Sequence, residues 1–158
     1  MKGVLRLSEA ASIGLHGALA LAAAPDRYWS AREVGARFGF SADHVTKVMR
    51  ALGRAGLVVA TRGPGGGVRL GRPAGDITLL AIYEALDGPL AAGGCLLSPQ
   101  VCRARCCTLG PQLASVNRQV HDLFARTTLA DLARGFKLPP AARRPGSVRP
   151  PETRKTRP

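Results

Sequence analysis

The chain has 158 residues, 46% of them hydrophobic but only 4% aromatic, with 23 Lys and Arg against 10 Asp and Glu. That length suits one domain with a tail, built on an Ala, Leu and Val core, and a net charge of +13 calls for a polyanionic partner. No run reaches the roughly 18 apolar residues of a membrane span. The short apolar run 15–24, with Glu9 and His16 nearby and Pro25-Asp26-Arg27 after it, reads as a buried helix rather than a secretory signal. A cytoplasmic protein is therefore expected.

The first apolar helix covers residues 7–24 and stops at Pro25. Trp29-Ser30-Ala31-Arg32-Glu33-Val34 comes next. Its Ser30 and Glu33 have capping-box spacing, and Trp29 can staple onto Val34 across the helix start. Gly39 ends this second helix. Ser41 caps a third, with Asp43 in its first turn, where the helix dipole favours an acid. Val45, Val48, Met49 and Leu52 fall at i, i+3, i+4 and i+7 and form its core face. His44, Thr46, Lys47, Arg50 and Arg54 occupy the other face.

Two short helices joined by a tight turn, the second with a basic outer face, make a helix-turn-helix. Residues 56–61 read as a strand, 62–67 (Arg-Gly-Pro-Gly-Gly-Gly) as a turn and 68–70 as a return strand, which together form a wing. Asp76 is expected to cap a helix running to about Asp87, ended by Gly88-Pro89. Pro111 suits the first turn of a long final helix. There Leu113, Val116, Val120 and Leu123 are spaced 3, 4, 3, a seam of about two heptads that suggests a dimer interface. Thr128 to Asp131 restarts a short helix. Beyond Gly135, prolines and charges predominate, seven Lys and Arg against Glu152, so 136–158 is expected to be a disordered basic tail. The fold class expected is mainly α with a small β-hairpin, a winged helix-turn-helix plus a long C-terminal dimerisation helix. Its parts are 1–88 (DNA-binding domain), 89–108 (cysteine-rich loop), 109–135 (dimerisation helix) and 136–158 (tail).

A recognition helix puts its N-terminal residues at base edges in the major groove while neighbouring cations hold phosphates. Ser41, Asp43, His44, Thr46 and Lys47 are the candidates for the helix start, and Arg50 and Arg54 for the backbone. Arg62, beside the glycine run, could enter a narrow, electronegative minor groove. Five Lys and Arg against one acid between Ser41 and Leu70 fit double-stranded DNA as the partner. The glycine run is no nucleotide-phosphate loop, because it lacks the Gly-Lys-Ser/Thr ending and the strand-to-helix context.

All four cysteines lie within thirteen residues, 95–107. In a reducing compartment such a set reads as metal-binding or redox-sensing rather than as a disulfide framework. Arg103 and Arg105 favour the thiolate. Zinc sites usually pair cysteines as C-x2–4-C. Here six residues separate Cys95 from Cys102, four separate Cys102 from Cys107, and Cys106 adjoins Cys107. Three irregularly spaced thiolates with a further ligand elsewhere suit an iron–sulfur cluster, 2Fe-2S or 4Fe-4S. A thiol redox switch or a zinc site is the alternative. No Cys-x-x-Cys, nearby general base or cofactor fingerprint supports an enzyme.

Residues 4–133 resemble the Rrf-type bacterial winged-helix transcription regulators, the IscR/NsrR-like iron–sulfur cluster sensors. The resemblance rests on Leu7-Ser8, on His44-Val45-Thr46-Lys47-Val48, and on 62–70, Arg-Gly-Pro-Gly-Gly-Gly-Val-Arg-Leu. Residues 77–88 and 128–132 continue it, with the cysteine loop between them. It implies a homodimeric, DNA-binding regulator whose promoter affinity is set by a cluster, with Cys95, Cys102 and Cys107 as ligands. Cys106 is extra, an alternative ligand or a resolving thiol. The histidine ligand of some members falls on Gly110 here, and the N-terminal acidic ligand of others on Ser12. Glu9, one turn earlier, could substitute from the partner subunit, so the fourth ligand stays open.

Overall fold

A computed structural model describes residues 7–90 and 109–141. The order is α1 (Glu9–Ala23), α2 (Ala31–Phe38), α3 (Ala42–Arg54), β1 (Val58–Thr61), β2 (Gly67–Leu70), α4 (Leu79–Asp87), α5 (Leu109–Arg126) and α6 (Leu129–Ala133). A 3-10 turn, Ala74–Asp76, precedes α4. Among the described residues the fold is mainly helical with one two-stranded antiparallel hairpin, in which Val58 faces Leu70 and Thr61 faces Gly67.

Side-chain caps start most of these helices. Ser8 caps α1 by accepting from the Ala11 N–H, and Ser41 caps α3 by accepting from that of His44. The capping box of α2 is complete. Ser30 Oγ accepts from the Glu33 N–H at 3.2 Å while Glu33 Oε2 accepts from the Ser30 N–H at 2.8 Å. Gly39 ends α2 at φ 78°.

The Ser30 N–H, and after it the Ser30 hydroxyl and Arg27, hold the Glu33 carboxyl below the usual carboxylate range despite an opposing desolvation. A carboxyl depressed by folding stabilises the protein above its unfolded pKa, and that contribution disappears as pH falls through the folded value. Glu33 is half exposed, so the effect is less than about 1 kcal/mol. Glu33→Gln should therefore lower thermal stability at neutral pH yet converge on the wild type in acid. Melting curves across that range check this.

One core unites the layers. Ile13 and Leu21 of α1, Val34 of α2, and Val45, Val48, Met49 and Leu52 of α3 are buried with Trp29, Leu57, Val58, Ile77, Ile82 and Leu129. The wing is joined to the helices through Trp29, which exchanges both backbone hydrogen bonds with Val68 at 2.8 Å. Gly67 permits this approach, since a Cβ there would lie 2.6 Å from the Trp29 carbonyl oxygen.

Three expectations change. The cap of α4 is Thr78 rather than Asp76, its hydroxyl accepting from the Ala81 N–H at 3.1 Å. Thr78 is held extended by a bridge to Thr128, and Ile77, fully buried, must enter the core before the helix can begin. The strands run 58–61 and 67–70, so residues 56 and 57 belong to the bend after α3 and Gly67 joins the return strand. Residues 136–141, expected to belong to the tail, instead pack back on the fold. Leu138 lies against the core, and Arg37 Nη1 donates to the Pro139 carbonyl at 2.6 Å. Residues 142–158 lie outside the described residues. No helix among the described residues is long and apolar enough to cross a membrane.

Candidate nucleic-acid interface

α3 presents two opposed faces. Val45, Val48, Met49 and Leu52 are buried, whereas Ser41, Asp43, His44, Lys47 and Arg50 are exposed and Thr46 is half-buried. Arg62 is exposed just after β1. The sequence-predicted contacts thus fall on one helix and the adjoining hairpin.

Their chemistry is not uniform. Ser41 Oγ is committed to the His44 N–H at 3.2 Å, so it fixes the helix start. Thr46 Oγ1 donates to the Ala42 carbonyl at 2.8 Å, leaving its methyl and hydroxyl lone pairs for an outside group. His44 Nδ1 lies 3.5 Å from Glu9 Oε1 at the head of α1. Lys47 joins that pair around a pocket of about 180 Å³, with Ile13 and Val48 at its apolar side.

A groove of about 450 Å³ separates α3 from the wing. Met49, Val58, Ala60 and Val68 line it together with Arg50 and Arg54. The base of the wing is pinned by Arg72, which donates to the carbonyls of Ala55 and Gly56 at 3.0 and 3.2 Å. Neither Arg72 nor the Glu9–His44 pair was foreseen as part of this surface. Each joins residues far apart in sequence, with no local spacing to signal it.

The head of α1 also meets the end of α4. Ser8 Oγ, while capping α1, donates to Asp87 Oδ1 at 2.6 Å. Asp87 is the last residue of the helix that leads toward the cysteines. Cys95, Cys102, Cys106 and Cys107 themselves lie outside the described residues. Among the described residues, no group of three or more His, Cys, Asp or Glu side chains could hold a metal ion. On α5, the seam residues Val116 and Leu123 are about half exposed, while Phe124 is buried edge-on to Tyr83 at 6.1 Å.

Known proteins share this arrangement. The B. subtilis global cysteine regulator CymR superposes with a TM-score of 0.74 at 24% identity, covering 85% of this chain and all of that one. T. potens IscR superposes at 0.68 and 23% identity, covering 83% and 88%. At such identities the likeness shows the fold, a winged helix with a long C-terminal helix. Among curated proteins, the putative HTH-type transcriptional regulator BadM of Rhodopseudomonas palustris is 44% identical over 83 residues, 52% of this chain. That match spans about half, 53%, of BadM's own length. The family model Rrf2, described as iron-dependent transcriptional regulator, matches residues 7–135. The chain belongs to the Rrf2 family of transcriptional regulators.

Proposed function

We propose that the protein is a homodimeric, DNA-binding regulator whose promoter affinity is set by an iron–sulfur cluster held by Cys95, Cys102 and Cys107. The observation that carries the DNA reading is the two-faced α3, locked into the core on one side and cationic on the other, beside a wing ending in Arg62. α3 would enter the major groove. Asp43 suits a cytosine amino group, Lys47 the guanine acceptors, and the Thr46 methyl a thymine methyl. Arg50 serves phosphates, and Arg62 serves the adjacent minor groove. The half-exposed Val116 and Leu123 support dimerisation along α5.

The donor set suits a cluster. Three thiols lie within thirteen residues of sequence together with Arg103 and Arg105, and an exposed carboxylate, Glu9, stands at the head of α1. A bound cluster would supply a charge that changes with oxidation state. The chain's own residues would convey that change. Asp87, the last residue of α4 before the cysteines in sequence, accepts from the Ser8 cap, and the next residue, Glu9, faces His44 on α3. The adjacent Cys106-Cys107 pair favours the second reading, a regulator using a thiol switch or a zinc site.

The test joins both halves. A duplex selected by the protein from random sequence should lose about 1–3 kcal/mol of binding with Lys47→Ala or Thr46→Ala, with altered base preference. Arg62→Ala should weaken binding without changing that preference. Unchanged footprints for all three would refute the placement of helix and wing. Anaerobically purified protein should be coloured and contain iron and sulfide, and lose them in Cys95→Ser, Cys102→Ser and Cys107→Ser. A colourless protein containing zinc, or one whose DNA affinity answers peroxide without iron, would replace the cluster with the second reading.

A further inference from the structure

The groove between α3 and the wing, about 450 Å³, falls within the roughly 300–1,000 Å³ of small-molecule sites. Met49 and Val58, each 3% exposed, form its floor, and Ala60 and Val68 of the hairpin line its other side. Arg50 and Arg54, one turn apart on α3, are exposed at its edge. No Asp or Glu among the described residues lines it. Arg27 and Arg134 are paired with Glu33 and Asp131, whereas Arg50 and Arg54 have neither an ion pair nor a hydrogen-bonded acceptor among the described residues. An apolar cleft thus adjoins two uncompensated positive charges.

Gly53 keeps this space open. A glycine inside a helix is less stable than an alanine, and packing does not demand this one. Beyond its own helix, a Cβ at Gly53 would meet only Val58, at 3.8 and 3.9 Å, which is ordinary contact. A longer side chain there would extend into the groove that Gly53 lines.

The phosphates of a duplex do not use such a floor. Phosphate contacts call for cations and N–H donors, with no need of Met49 and Val58 behind them. A molecule with an apolar body and an anionic head satisfies both parts. Its body displaces water from the floor, and a guanidinium grips a carboxylate or phosphate head through paired N–H donors.

We propose that the groove binds a small amphiphilic anion, a carboxylate or phosphate monoester on an apolar chain, and that its occupancy weakens DNA binding. The head would take Arg50, which the DNA reading assigns to a phosphate, so ligand and duplex compete for one cation. That coupling rests on the DNA-binding reading of α3, whereas the ligand site itself does not.

The experiment titrates octanoate and octyl phosphate into the full chain, with octanol and inorganic phosphate as partial ligands. The methyl resonances of Ala60 and Val68 report the groove. At least one amphiphile should shift both methyls and bind roughly tenfold or more tightly than either partial ligand, since a hydrogen bond to a charged group alone supplies that factor. Arg54→Gln should weaken the binding by a similar factor. Gly53→Leu, which fills the groove from the helix, should abolish it while the thermal midpoint holds. Ala60→Leu fills it from the wing, should Gly53→Leu fail to fold. On the selected duplex, a saturating amphiphile should lower DNA affinity about 5-fold or more, the lower end of ordinary coupling between ligands.

Octanol binding as tightly as the amphiphiles would remove the arginines from the site, and inorganic phosphate doing so would reduce it to a backbone contact. Either overturns the proposal, as do an absence of binding, shifts confined to other methyls, or undiminished binding in a folded filled-groove variant. Methyl shifts that follow protein concentration alone would mean that a second copy covers the groove, and overturn it too. If an amphiphile binds and DNA affinity holds, the coupling falls and the site stands. If no duplex is bound with or without ligand, the DNA-binding reading fails, and the methyl titration decides the site by itself.

Discussion

Trp29→Ala is expected to lower folding stability by about 3–5 kcal/mol, the range for emptying a large aromatic site. Trp29 is 1% exposed and sits where α2, the wing and the core converge. Arg27 covers its ring at 3.9 Å, with Arg37 nearby, and its backbone carries the pairing with Val68. Its indole N–H is buried with no protein acceptor among the described residues. That group costs stability rather than adding it, so Trp29→Phe should be far milder than Trp29→Ala. Denaturant midpoints at constant slope measure the difference. Comparable losses in the two variants would show that the ring's packing is not what holds this junction.

Gly35→Ala carries the second large effect, and its sign opposes helix propensity. In an open helix the change would stabilise by about 1 kcal/mol. Here Gly35 is buried, its carbonyl accepts from the Phe40 N–H at 3.0 Å, and a Cβ would fall on the Phe40 carbonyl oxygen. That oxygen is backbone and has no rotamer to relieve the clash. We expect a loss of at least about 2 kcal/mol, in the upper part of the overpacking range. DNA affinity should fall as well, because displacing Phe40 moves Ser41, the cap that sets where α3 begins. Gly39→Ala, in the same turn but facing open space at φ 78°, should cost only the left-handed penalty of about 1–2 kcal/mol. Thermal melts and DNA titrations of the two variants separate steric overlap from backbone strain.

The readable parts of this molecule were those whose causes are local. Ser30 with Glu33, Ser41 with Asp43, Gly39 at the helix end and the 3.6-residue spacing of Val45, Val48, Met49 and Leu52 each state their structure within a few positions. The two-sided character of α3, and with it the candidate DNA surface, came from that spacing. The features that escaped depend on distant partners. Asp76 looks like a cap until Thr128 arrives to hold Thr78 extended. The return of Leu138 to the core depends on a docking surface that includes Arg37, which bonds Pro139 from 102 residues away. Glu9 meets His44 only because α1 crosses the start of α3. The cysteines were conspicuous by their spacing, yet spacing alone does not decide between a cluster, a zinc site and a thiol switch.

The bridge between Thr78 and Thr128 has a further consequence. Around it the Leu79 N–H bonds the Thr127 carbonyl at 3.0 Å and the Leu129 N–H bonds the Ile77 carbonyl at 2.9 Å. Residues 79 and 127, at the two ends of a stretch that includes the cysteines in sequence, are thereby held side by side, with α4 packed into the core through Ile82. That pairing stays fixed whatever the length of chain between α4 and α5. A stretch between ends paired in this way can be lengthened or shortened while the helices and hairpin on either side of it keep their register.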